Sequence, residues 1–115
     1  MSMVIATALL TIEIPHATSL EDKRTVIRPL LARVRAWRPV SIAEVGMHER
    51  VRGAQLGFAV VADDDDAARA QVEELRRFII DDLDGVASVI DERLDARVLE
   101  ERYVIADRPE EDGAS

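Results

Sequence analysis

Apolar positions along the chain change period four times, and the changes mark the elements. Val4 to Ile14 is mostly β-branched and aliphatic, and in its second half Leu10, Ile12 and Ile14 alternate with Leu9, Thr11 and Glu13. A period of two is that of a half-buried strand. Pro15 ends it, because proline cannot donate to a sheet ladder. Ser19 followed three residues later by Asp22 resembles a capping box, and Leu20, Ile27, Leu31 and Val34 then recur at helical spacing. A helix is predicted from Ser19 to about Ala36. Pro39 closes that region, and Val40 to Val45 and Gln55 to Ala62 read as two strands joined by a hairpin loop from about Gly46 to Gly53. Asp63 to Asp66 sits where a second helix starts, its acids at the positive end of the helix dipole. Ala68, Val72, Leu75, Ile79 and Leu83 give that helix one apolar face, and Gly85 supplies a cap region. Val86 to about Val98 is the fourth strand, strongest at Val86 to Ile90. From Glu100 the chain turns polar, and residues 101–115 are expected to form a disordered acidic tail on a single domain of residues 1–100.

The order β-α-β-β-α-β with right-handed crossovers predicts an α+β, ferredoxin-like βαββαβ sandwich: a four-stranded antiparallel sheet, order 4-1-3-2, with two helices on one face. This topology brings the end of strand 1, the start of helix 1, the strand 2 to 3 hairpin and the end of helix 2 to one end of the sheet. At about 100° per residue, two positions of the first helix stand out. Pro29 falls on the face opposite the apolar stripe, where a lost hydrogen bond is best tolerated. Lys23 falls inside the stripe, so its ammonium must snorkel past the core edge or meet a carboxylate.

Composition narrows the classes. A chain of 115 residues supports one core, and 48% hydrophobic with 33% charged residues is a soluble balance. No apolar run approaches the roughly 18 residues that span a bilayer, and Met1 to Ile14 lacks the basic start and cleavage pattern of a signal peptide. With no cysteine there is neither a disulfide framework nor a thiolate site, and the cytoplasm is the expected compartment. A net charge of −8 opposes non-specific binding to nucleic acid, DNA included. The charge is uneven, however: Lys23, Arg24, Arg28, Arg33, Arg35 and Arg38 follow one another with no acid between them.

The candidate chemistry gathers at the predicted hairpin end. His16, Thr18, Ser19, Lys23 and Arg24 surround a helix N-terminus, whose free N–H groups can hold an anion such as an RNA phosphate. The plainer alternative is that Ser19 only caps, while Lys23 and Arg24 pair with Glu44 or Glu49. His16 and His48, with Glu44 and Glu49, offer the donor types of a two-His, one-carboxylate metal site but not ligand spacing, and no metal or cofactor is expected. Asp63 to Asp66 lacks the alternation of a calcium loop. Trp37 is read as a core-edge or interface residue, since nucleic-acid platforms on this fold use paired strand aromatics and the strands here offer only Phe58. The sheet face away from the helices includes Ile5, Leu9, Ala43, Val45, Ala59 and Val61; a wet patch of that kind predicts a homodimer through the open face or an edge strand.

Two of these neighbouring segments carry a resemblance. Ser19-Leu20-Glu21-Asp22-Lys23-Arg24 is similar to the Ser-Leu-Lys-(Asp/Glu)-Lys-Arg segment of the YlxP-like proteins, domain-of-unknown-function family 503. Val40 to Val45 and Ala54 to Gly57 resemble that family's Val-Ser-Val-Ala-Glu-Val and Ala-x-Leu-Gly at matching spacing. The likeness runs from about Val4 to Leu94. It implies a ferredoxin-like fold and, from gene neighbourhoods in many bacteria, an association with translation factors and ribosome maturation; no activity is established for the family. The family's hairpin carries Gln-Asp-x-Trp-Gln-Arg where this chain has His48 to Gly53, so Val51 replaces the Trp and Gly53 the closing Arg, with Arg50 and Arg52 nearby in partial compensation. Glu21 also replaces a Lys. The expected role is a non-enzymatic docking factor for a ribosomal or RNA–protein partner, binding through His16, Ser19, Lys23, Arg24, Glu44, His48, Arg50 and Arg52. The alternative is a dimeric small-molecule-binding protein or enzyme of the same fold, against which stands the lack of a convergent acid, base and nucleophile.

Overall fold

A computed structural model describes residues 2–100; the acidic tail expected at 101–115 lies outside the described residues. The order is β1 (Ser2–Glu13), α1 (Leu20–Trp37), β2 (Ser41–Gly46), β3 (Gly53–Ala62), α2 (Asp65–Asp82) and β4 (Ser88–Glu100). The strands form one antiparallel sheet in the order β2-β3-β1-β4, the predicted order read from its other edge. Among the described residues no helix is long and apolar enough to cross a membrane.

Strict alternation makes the core. Val4, Ala6, Ala8, Leu10 and Ile12 of β1 and Ala54, Leu56, Phe58 and Val60 of β3 point under the helices and are buried. Ile27, Leu30, Leu31 and Val34 of α1 and Ala68, Val72, Leu75 and Ile79 of α2 close over them. Each large side chain removed from water here stabilises the fold by about 1.5–3 kcal/mol before entropy is subtracted. Pro29 lies on the exposed side, and α1 runs through it. On the other sheet face Ile5, Leu9 and Ala59 are half-buried, while Ala43, Val45 and Val61 are exposed.

The helices are tied to each other and to the sheet by polar and aromatic contacts at their rims. Trp37 stacks on Phe78 with centroids 4.5 Å apart, so it closes the α1–α2 seam, and Arg38 covers the ring at 4.4 Å. Arg33 donates two hydrogen bonds to Asp82, at 2.8 and 2.6 Å. Arg76 reaches from α2 to Glu92 of β4 and to Glu73.

Strand boundaries shift by one or two residues from expectation, and two of the shifts have a visible cause. Val86 and Ala87 are not in the fourth strand, because both amides donate to the Leu83 carbonyl after Gly85 turns the chain at φ +82°. Ala87 packs against the core beneath the helix end, whereas Val86 is 46% exposed. β3 begins at Gly53 instead of Gln55, since Gly53 and Ala54 pair with Glu13 and Ile12.

Candidate functional site

The end of the sheet where the hairpin meets the start of α1 is organised by a single cation. Lys23 is the only lysine in the chain, and in the first turns of α1 it points inward with the apolar stripe, 2% exposed. Burying an ammonium is tolerable only if its hydrogens are used. All three are: Nζ donates to the carbonyls of Met47 at 3.0 Å, His48 at 3.2 Å and Gly53 at 3.1 Å. These carbonyls bracket the β2–β3 loop. A compact ammonium suits three converging acceptors, whereas a planar guanidinium does not.

Glu44 of β2 supplies the counter-charge. Its Oε2 lies 3.1 Å from Lys23 Nζ, yet this buried oxygen accepts no hydrogen bond. The two facts agree once donors are counted, because the lysine hydrogens are already committed to the loop. The contact is therefore Coulombic, in a partly desolvated place where charges interact strongly.

The loop is fixed from other directions as well. Met47 adopts φ +60°, the left-handed region uncommon for a residue with a long side chain, and its carbonyl also accepts from the Arg50 amide at 3.0 Å. The Ile14 amide donates to the Arg52 carbonyl at 2.9 Å, and Arg52 Nε donates to the Ala17 carbonyl at 3.1 Å. Together these bonds sew the hairpin to the β1–α1 turn. The two segments are neighbours, as the topology required.

The start of α1 is self-contained. Ser19 Oγ accepts from the Asp22 amide at 3.0 Å, as the capping pattern predicted. The return bond differs: the Asp22 carboxylate accepts from the amide and hydroxyl of Thr18, at 2.9 and 2.6 Å, and not from Ser19. The Thr18 hydroxyl, followed by its amide, holds the Asp22 carboxyl below the ordinary carboxylate range. A carboxylate thus already stands where an anion was envisaged.

Of the eight residues expected here, Lys23, Glu44 and Ser19 are engaged internally, and Arg52 is half committed through Ala17. His16, Arg24, His48 and Arg50 are exposed. His48 Nε2 lies 3.2 Å from the Glu44 carbonyl, and since a carbonyl only accepts, that nitrogen carries the hydrogen. Among the described residues no three His, Asp or Glu side chains come together as a metal-holding group. Beside the loop lies an open cleft of about 570 Å³ with Ala17, Thr18, Met47, Arg50 and Arg52 in its walls.

Met47 is the residue that sequence reasoning missed. Its terminal methyl would lie 2.5 Å from a Cβ at Gly53, so it occupies the space that a side chain at position 53 would enter. Val51 of the loop packs against the core cluster.

None of the curated proteins matches the chain. Among solved structures it is similar to the de novo designed protein Foldit4, at 19% identity and a TM-score of 0.45, with 87% of this chain and 99% of that one covered. The sequence profile of a family described as "Protein of unknown function (DUF503)" matches residues 5–91, which include the Lys23 clamp and the whole hairpin; the chain belongs to the DUF503 family.

Proposed function

We propose that this protein is a small, non-catalytic cytoplasmic docking factor whose hairpin end engages an RNA–protein assembly of the ribosomal kind. One observation carries the reading: the only lysine is withdrawn from the surface to hold three loop carbonyls in place, while Arg24, His48 and Arg50 are left outside on the rigid frame it creates. A loop ordered before binding loses less entropy on docking, and exposed arginines can grip phosphate or carboxylate in a fixed geometry. The ribosomal element rests on the family resemblance and not on the charge of the chain.

The test is cosedimentation of the purified protein with ribosomal particles at low and high salt, wild type against Arg24→Glu/Arg50→Glu. Binding that weakens with salt and is lost in the double variant supports the proposal. Equal binding by both proteins, or none by the wild type at low salt, overturns it. Lys23 is left intact in this experiment because its replacement would disturb the loop itself.

A further inference from the structure

The two edges of the sheet are treated very differently. β2 is a short edge of 6 residues with a register shift near its end. β4 is 13 residues long, pairs with β1 from Ser88 to Glu100 on its inner side, and meets no described strand on its outer side. Edge strands are usually blunted by brevity, lysine or proline. β4 has neither lysine nor proline, and its one irregularity lies near its start, where β1 shifts register between Thr11 and Ile12. It also exposes Leu94 by 58%, Val98 by 55% and Leu99 by 62%.

We propose that β4 is a self-association edge: two copies pair their β4 strands antiparallel about a two-fold axis through Leu94, joining two four-stranded sheets into one of eight strands. The register follows from parity and charge. Opposed residues must share a sheet face, so a two-fold axis normal to the sheet has to pass through a residue and not between two. Centred on Leu94, Arg93 of one copy faces Asp95 of the other, and Asp91 faces Arg97. Symmetry doubles both, giving four opposite-charge cross-strand pairs. Leu94 then meets Leu94.

Neighbouring registers lose this match. An axis at Arg93 opposes Arg93 to itself and Asp91 to Asp95; an axis at Asp95 opposes Asp95 to itself and Arg93 to Arg97. Like charges placed directly opposite are destabilising. Among the described residues Arg93 and Asp91 have no ion-pair partner, and Asp95 and Arg97 meet only each other, at 3.5 Å. On the helix side, a groove of about 520 Å³ with Ala6, Val72, Leu94 and Ala96 in its walls, rimmed by Arg69, Glu73 and Asp95, lies beside the same edge.

Charge exchange tests the register. In Arg93→Asp every position 93–95 contact is acid on acid; in Asp95→Arg every one is base on base. A mixed pair of the two variants restores both contacts. Mass measurement by light scattering on the full chain should return a wild-type dimer of twice 12.8 kDa, at least about tenfold weaker self-association in each single variant at low salt, and a dimer again on mixing the two. Circular dichroism confirms that each variant is folded. Because the chain has no cysteine, Leu94→Cys should in addition give a disulfide-linked or short bis-maleimide-linked dimer in high yield. The proposal falls if the wild type is monomeric at millimolar concentration, which leaves the edge to residues 101–115 or to another partner. It falls equally if a dimer forms but mixing restores nothing, which assigns the contact to the open sheet face.

Discussion

The hairpin end and the β4 edge are both rich in charge, yet they use it in opposite ways. At the hairpin end one cation is drawn out of water and each of its hydrogens is given a backbone acceptor. Along β4 the charged residues lie in solvent, and among the described residues the one ion pair from the strand to the rest of the fold is Arg76 to Glu92. The difference is one of dielectric. A buried charge is worth much and tolerates no loss of partner, whereas an exposed one is worth little alone and matters where several are arrayed in register.

Replacing the buried cation should therefore produce the largest effect. Lys23→Met leaves Glu44 without its counter-charge and three loop carbonyls without a donor, and is expected to lower unfolding free energy by about 3 kcal/mol in urea titrations. Lys23→Arg should fail to rescue more than about half of that, since its donors lie in one plane; full rescue would show that charge alone holds the loop. Glu44→Gln keeps the carbonyl tripod and should cost about 1 kcal/mol, with hydrogen exchange of the loop amides faster than in the wild type. At the other region Arg76→Ala is expected to cost no more than about 1 kcal/mol, and the deficit should shrink as salt is raised.

The smallest effect concerns acid. The Arg76 guanidinium holds Glu92 and Glu73 below the usual carboxylate range, as Thr18 holds Asp22. Each group binds a proton less readily folded than unfolded. Its contribution is whole above the unfolded carboxylate range and disappears as pH falls through the lower, folded one. Melting temperature should accordingly be flat from pH 7 to about pH 5 and decline below about pH 4. Arg76→Ala should flatten part of that decline; an unchanged slope would place the acid sensitivity elsewhere.

Much of this was legible in the residues. Alternation in Leu10, Ile12 and Ile14 and the helical spacing of Ile27, Leu31 and Val34 led to the sheet and to α1, because burial on one face leaves a period in the sequence. Lys23 could be recognised as anomalous because it broke that period, and its carboxylate partner was among the two acids named. Its other partners could not be read, since a carbonyl is the same at every position and only the path of the loop selects Met47, His48 and Gly53. For the same reason Met47 in its left-handed conformation gave no signal. Val86 misled in the opposite direction: its β-branched side chain suggests a strand, yet it lies exposed in the turn that follows α2. The order expected from the element sequence already put β4 at an edge of the sheet, and it is there that Leu94 and Val98 stand exposed.

The withdrawal of Lys23 has a chemical corollary. The chain has one side-chain amine, and folding hides it beneath the hairpin. An acylating reagent supplied to the native protein can reach that nitrogen only when the loop lifts away, so the rate at which Lys23 is modified is a direct clock for opening of this end, separate from unfolding of the sheet.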